Sequence, residues 1–255
     1  KGDIMAGKLY GIGVGPGDPK LMTLKAKEIL ESVQAVAYPV KESGEESTAY
    51  HIAAQAADLS GKQIIEIEFK MDKDRHKREA CRRAAAKRLA LYLDQGIDIA
   101  MITLGDVSVY STYTYVNQML AKSGYETEIV PGIPSFCGGA AKAQISLAEG
   151  NESFGVISSL KGDVQLEMAL DIFDNLVVMK AGSSVKKIAA KLSDMGLKDH
   201  AAVLSNVGMA DEYIGPLDTD RDYGYFTTLI IKKKEDVQDG LFYRRGTGRS
   251  PASND

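Results

Sequence analysis

The chain has 255 residues, 44% of them hydrophobic and 26% charged, with a formal net charge of −4 at pH 7. That composition is ordinary globular material, enough for two modest domains or one large one, and it argues against a general nucleic-acid binder. No apolar run approaches a bilayer span, and Cys81 and Cys137, far apart and without a CxxC spacing, fit reduced thiols of a cytoplasmic protein rather than a disulfide framework. No charged-then-apolar leader opens the chain; residues 1–6 read as including an expression remnant, with Met5 a native start.

Strand-like and helix-like stretches then alternate. Leu9 to Val14 reads as a strand, after which Asp18-Pro19 offers an N-cap and a first-turn proline for a helix carrying Leu21, Leu24 and Ile29. A strand is expected at Ala35 to Pro39, a helix at Thr48 to Leu59, and a strand at Gln63 to Phe69, where Ile65, Ile67 and Phe69 alternate. Arg75 to Asp94 reads as a long charged helix and Asp98 to Leu104 as a buried strand. A helix over Tyr110 to Lys122 and an extended stretch at Glu126 to Val130 lead to a break at Pro131-Gly132-Ile133-Pro134. Beyond it, strands are expected at Phe154 to Ser158, Asn175 to Lys180, Ala201 to Ser205 and Phe226 to Lys232. Helices fit Val164 to Phe173 and Val185 to Met195, the latter with Gly196 as its C-cap. The pattern implies α/β architecture with largely parallel sheets, in two domains over 8–131 and 132–240, and a disordered tail over 241–255.

Two glycine-bearing segments, Gly11 to Pro19 and Leu104 to Tyr113, each follow a strand-like run, at the sheet edge where open α/β folds bind ligands. The first fails the dinucleotide fingerprint, because Pro16 and Asp18 stand where its third glycine is needed, and it lacks the Gly-Lys-Ser/Thr ending of a phosphate loop. Asp18 repels phosphate but accepts hydrogen bonds from hydroxyl, ammonium or pyrrole N–H groups; the plainer alternative is a tight turn capping a helix. In the second segment the Asp106 carboxylate sits at the strand end, beside a crowd of hydroxyls and rings at Ser108, Tyr110, Ser111, Thr112, Tyr113 and Tyr115 that are costly to bury unpartnered. Helix capping and amphipathic packing would also explain these residues. His51, His76 and His200 form no metal-binding pattern.

Together these segments resemble the tetrapyrrole methylase family, S-adenosylmethionine-dependent enzymes that methylate uroporphyrinogen and corrin precursors. The family's opening loop stands here as Gly13-Val14-Gly15-Pro16-Gly17-Asp18-Pro19 and its mid-chain Gly-Asp-Pro as Gly105-Asp106-Val107, where valine departs from proline and leaves the loop less rigid. Val130 to Ile133, Val178 to Gly182 and Thr227 to Ile230 follow in the family's order, so the resemblance spans roughly residues 8 to 235. Tyr38 to Lys41, Tyr110 to Tyr113 and Pro134 to Phe136 look most like the branch that methylates precorrin-2 or cobalt-factor II at C-20.

The resemblance implies a cytoplasmic homodimer, each subunit having two α/β domains with a ligand trough between them, unlike the Rossmann methyltransferases. It implies cofactor contacts from Leu104, Gly105, Asp106, Val107, Tyr110, Ser135, Phe136, Met179, Asn206, Val207 and Thr228, each of which has a structural alternative. The loop Gly15, Pro16, Gly17 and Asp18 is expected to face the tetrapyrrole; Asp106, Tyr110 and Asp18 are unranked candidates for the proton step. The substrate's propionates and acetates must be met locally by a net acidic chain. The basic stretch from Lys70 to Arg88, Arg75 and Arg78 in particular, and Lys41 are candidates, the alternative being a solvated helix face. Another corrin or uroporphyrinogen methyltransferase, or a non-catalytic tetrapyrrole carrier, would present many of the same residues.

Overall fold

The computed structural model describes residues 5–69, 72, 74–158 and 163–233 and divides into two units, Lys1–Ser135 and Phe136–Asp255. In the first unit, strands β1 (Leu9–Gly13), β2 (Ala35–Val40), β3 (Gln63–Glu68), β4 (Ile99–Thr103) and β5 (Thr127–Val130) form one sheet in the order β3-β2-β4-β1-β5. Every pairing in it is parallel. Side chains alternate between two cores: Leu9, Ala37, Ile65, Ile67 and Met101 on one face, and Ile12, Val36, Ala100, Ile102 and Val130 on the other. Burial on both faces is why the inner strands β1, β2 and β4 read as continuous apolar runs, whereas the edge strands β3 and β5 bury less.

Helices α1 (Leu24–Ser32) and α2 (Thr48–Ala56) cover the second of these faces through Leu30, Ile52 and Ala53. Helices α3 (Arg75–Leu93) and α4 (Tyr113–Lys122) cover the first through Leu89, Leu93, Tyr113 and Val116. Right-handed crossovers account for the segregation: chain leaving β1 travels toward β2 on one side of the sheet, and chain leaving β4 travels toward β5 on the other. The neighbouring strands β1 and β4 therefore flank a switch point, where loops part to opposite faces and open α/β sheets hold their ligands.

The start of α1 differs from expectation. Asp18 does cap a turn, its carboxylate accepting the Lys20 N–H at 2.9 Å, but that turn is a short 3-10 segment, Pro19–Leu21. The helix begins at Leu24 behind a second cap, Thr23, whose hydroxyl accepts the Ala26 N–H. Tyr110 likewise precedes its helix instead of opening it. Helices α3 and α4 stop at glycines of positive φ, Gly96 and Gly124, which no other residue fills cheaply.

The second unit contains α5 (Ser135–Ala143), β6 (Phe154–Ser158), α6 (Asp163–Ile172), β7 (Asn175–Met179), α7 (Val185–Asp194), β8 (Ala201–Ser205), β9 (Tyr213–Pro216) and β10 (Thr227–Lys232). Its sheet runs β6-β7-β10-β8-β9, and its core packs Leu166, Leu170, Ile188 and Leu192 on Val178, Val203, Leu229 and Ile231. The expectation of largely parallel sheets fails here. Only β6 with β7 is parallel, because β10 enters between β7 and β8 in the opposite direction and β9 returns as an antiparallel edge. Gly196 ends α7 as expected, with the Leu197 N–H reaching back to the Leu192 carbonyl at 2.7 Å. Helix α5 and strand β9 were not legible in the sequence pattern. The tail expected to be disordered, 241–255, and Lys70 and Lys73 lie outside the described residues.

Candidate functional site

Beyond the carboxyl ends of β1 and β4 the two glycine segments bond to each other. Gly15 and Gly105 exchange backbone hydrogen bonds of 3.2 and 2.7 Å in an isolated antiparallel bridge. A third strand end, that of β5, closes on them: a Cβ on Gly132 would lie 2.2 Å from the Gly105 carbonyl oxygen and 2.7 Å from that of Gly13. Three backbone segments thus meet at a separation that only glycine permits. Gly15 and Gly105 also have φ of +85° and +74°, a second reason for the residue type.

Asp106 locks this junction. One carboxylate oxygen accepts the Ser108 N–H at 2.8 Å and the Ser108 hydroxyl, and the other accepts the Gly132 N–H at 2.8 Å. The side chain is 7% exposed, and charge-assisted bonds to backbone donors are the stronger kind. Leu104 and the buried Val107 continue the loop, and Tyr110 stands at its end, half exposed with φ +50°. A left-handed tyrosine is uncommon and marks backbone held by its surroundings. Ser135 opens α5 with its N–H 3.5 Å from where a Gly105 Cβ would be, so the first unit gathers Gly15, Gly105, Asp106, Val107 and Ser135. Pro16 and Gly17 are buried within the loop, while Asp18 is exposed. The sequence had pointed to the turn at Gly132 but not to its role as the third strand end, for which a close-packed glycine after β5 was the only signal.

Tyr113, one of the hydroxyl-bearing residues crowded after Asp106, belongs to the core. Its ring lies against Gly11, where a Cβ would come within 2.4 Å, and its hydroxyl donates to the Glu128 carbonyl at 3.0 Å. Burial pushes its phenol well above the usual tyrosine range, so it stays neutral.

The basic residues divide. Lys41, at the end of β2, lies 3.7 Å from the Glu45 carboxylate. On α3, Arg78 donates to the Asp72 carbonyl at 2.8 Å, Lys77 pairs with Asp72 at 3.3 Å and Arg83 with Glu79 at 2.6 Å. Arg75 is exposed on the first turn. Arg82 lies over the ring of Tyr115 of α4, its guanidinium carbon 3.3 Å from the ring centroid. A surface hollow of about 420 Å³ opens on the opposite flank of α3, lined by Asp72, Lys77, Ala80, Cys81 and Ala84, none of which belongs to the glycine junction.

In the second unit the predicted residues meet at one end of the sheet, and the direction of β10 is the reason. Its first residues lie beside the last of β7 and β8, so Thr228 registers opposite Met179 and Leu204. Two non-glycine residues just past those strands are left-handed, Lys180 at φ +55° and Asn206 at +50°. The Asn206 N–H donates to the Phe226 carbonyl at 3.0 Å, and Ser205 shares a hydroxyl bond of 2.9 Å with Thr227. Val207 and Leu204 receive α5 closely, a Cβ on Gly139 falling 2.8 Å from Leu204 Cδ1. Phe136 is buried on the first turn of that helix. The strand ends thus bring together a thioether, aliphatic surface, a threonine hydroxyl and left-handed peptide groups, with no cationic cluster of the kind a polyphosphate requires among these residues. Among the described residues no cluster of His, Cys, Asp and Glu could hold a metal ion, and no helix is long and apolar enough to cross a membrane.

Residues 8–219 match the sequence profile of the Tetrapyrrole (Corrin/Porphyrin) Methylases. The chain is 37% identical over 233 residues to a probable cobalt-precorrin-2 C(20)-methyltransferase of Methanocaldococcus jannaschii, covering 89% of this chain and 96% of the relative. It is 32% identical to the cobalt-precorrin-2 C(20)-methyltransferase of Salmonella typhimurium, over 90% and 98% of the two chains. Among solved structures, the uroporphyrin-III C-methyltransferase of Thermus thermophilus complexed with S-adenosylhomocysteine superposes with a TM-score of 0.65 at 18% identity, over 89% of this chain and 98% of that one, a likeness of fold.

Proposed function

Because the chain belongs to the tetrapyrrole (corrin/porphyrin) methylase family, we propose that it methylates C-20 of precorrin-2 or cobalt-factor II at the expense of S-adenosylmethionine, leaving S-adenosylhomocysteine. The observation that carries this reading is the hydrogen-bonded meeting of Gly15 with Gly105 across the β1/β4 switch point. Two motifs 90 residues apart in the sequence, the first matching the family's pattern and the second departing from it at Val107, are built into one backbone junction at the place where such sheets bind ligands. The choice of C-20 rests on the two relatives named for that position.

S-adenosylmethionine supplies a sulfonium methyl that is already activated. What the protein must add is positioning and dryness, since displacement by an electron-rich ring carbon depends on near-attack geometry and on keeping water away. Leu104, Gly105, Asp106, Val107, Tyr110, Ser135, Phe136, Met179, Asn206, Val207 and Thr228 are the cofactor contacts on this reading, as the family resemblance implies. Asp106 serves by holding the loop shut, because both its oxygens are engaged with backbone and hydroxyl donors. That commitment moves the proton step to Asp18, which is exposed and has one carboxylate oxygen without a partner among the described residues, with Tyr110 beside the cofactor. Gly15, Pro16 and Gly17 present the loop to the tetrapyrrole, and Lys41, Arg75 and Arg78 meet its carboxylates. The protein acts as a cytoplasmic homodimer on this reading, supported by the family resemblance and by cysteines without disulfide spacing.

Titration with S-adenosylhomocysteine, followed by turnover of precorrin-2 and of cobalt-factor II with ¹³C-methyl donor, tests the proposal. A single labelled methyl at C-20 is expected. Label at another ring carbon overturns the regiochemistry, and binding of the tetrapyrrole without affinity for S-adenosylhomocysteine identifies a carrier instead.

A further inference from the structure

Helix α3 carries a stripe that changes character along its length. Ala85, Ala86, Leu89 and Leu93 are its buried residues, and at 100° per residue Arg75, Arg78 and Arg82 fall on that same flank, within about 60° of one another. The side of the helix that faces the core in its second half is therefore lined by arginine in its first. A solvated charge run would place these residues on the opposite flank.

The overhang follows from length. Nineteen residues of helix span about 28 Å, whereas strands β3 and β4, of six and five residues, span roughly 17–20 Å. The apolar half packs on the sheet, so the first turns reach past it, and because α3 leads from β3 into the parallel strand β4, they do so at the carboxyl rim. That is the rim of the glycine junction. Tyr115, beneath Arg82, is on the first turn of α4, five residues after Tyr110.

Arg82 is also distinguished by how it is held. Arg78 spends a donor on the Asp72 carbonyl and Arg83 is paired with Glu79, but no carboxylate pairs with Arg82 among the described residues. Its face is stacked on an aromatic ring, which fixes the plane of the guanidinium while leaving its N–H edge able to take a carboxylate in two parallel bonds. In a net acidic chain, a half-buried, oriented and unneutralised arginine on the ligand rim is an anion receptor built in advance.

We propose that Arg82, backed by Tyr115, is the anchoring receptor for a carboxylate of the tetrapyrrole and so a specificity-determining residue of this enzyme. The inference rests on the methyltransferase reading above for the identity of the ligand. It adds Arg82 to Lys41, Arg75 and Arg78 as the main electrostatic contact, Arg78 also holding the turn before α3 through the Asp72 carbonyl.

The test compares Arg82→Ala, Arg82→Lys, Tyr115→Leu and Tyr115→Phe by steady-state methylation, by quenching of a carboxylated porphyrin's fluorescence, and by titration with S-adenosylhomocysteine. Arg82→Ala is expected to raise KM for the tetrapyrrole and Kd for the porphyrin about tenfold, with a smaller change in kcat and none in affinity for S-adenosylhomocysteine. Arg82→Lys recovers only part of this because it keeps the charge and loses the fork. Tyr115→Leu shares the defect and Tyr115→Phe, which keeps the ring, recovers it. Wild-type KM should rise with ionic strength more steeply than that of Arg82→Ala. Values for Arg82→Ala within twofold of wild type overturn the inference, as does an equal loss of affinity for both ligands. Wild-type protein that binds porphyrin in an Arg82-dependent way yet transfers no methyl overturns the functional reading alone.

Discussion

Gly132 shows how little freedom single positions have at the junction. The atoms a Cβ would strike there, the carbonyl oxygens of Gly105 and Gly13, are backbone and cannot rotate away. Gly132→Ala should therefore cost about 3 kcal/mol, the upper range for overpacking, and weaken S-adenosylhomocysteine binding with it. Gly61→Ala is the control: its φ is +72°, but a Cβ there meets nothing within 4 Å, so only the backbone term of about 1 kcal/mol applies. Urea unfolding and ligand titration of the two variants check the contrast. At this scale the sequence was informative about which residues matter and silent about what they do. Gly105-Asp106 announced itself by position after a strand, but the second oxygen of the Asp106 carboxylate is met by the Gly132 N–H, 26 residues away, and no local pattern encodes that bond. For Tyr113 the packing alternative holds, its hydroxyl being satisfied by β5.

Among elements, β5 is tied to its neighbours by charge. The Glu128 carboxylate lies 2.6 Å from Lys25 of α1 and 2.9 Å from Lys8, and these ammonium groups, Lys25 foremost, hold it below the usual carboxylate range. A depressed carboxyl pKa contributes stability that is complete above its unfolded value, near 4.3, and disappears as pH falls through the folded one. Wild-type protein should thus lose more of its urea midpoint between pH 5 and pH 3 than Glu128→Gln does, with the two converging at the acid end. Strand positions were readable because burial on both faces or one leaves an apolar signature. Strand direction was not: the run at 227–232 looks the same whether it lies parallel or antiparallel to β7, and only the long chain path from β8 through β9 sets it. Helix α5 escaped notice because Gly138 and Gly139 weaken its propensity, the latter being required by close packing against Leu204.

For the molecule as a whole, a ligand that binds only the folded state must raise its melting temperature. At 100 times its Kd, S-adenosylhomocysteine should stabilise the fold by about 2.7 kcal/mol, whereas ATP and NADH, whose loops this chain lacks, should leave the transition where it is. Calorimetry with each compound decides this, and a light-scattering mass of twice the chain is the result expected of the proposed dimer. The α/β class and most of the alternation of elements, α5 and β9 excepted, were legible, since periodicity is a local property, while the pairing order that creates the β1/β4 switch point is not.

The placement of β10 has a bearing on biosynthesis. The five strands of the first sheet have all been translated by Val130, but β7 and β8 touch only through a strand made of residues 227–232. At about 5–20 residues per second, roughly 5–20 s separate those two moments on the ribosome. During that interval the first unit has everything it needs to fold, and the second waits with the inner edges of β7 and β8 unzipped, an invitation to chaperones and to mispairing between neighbouring nascent chains.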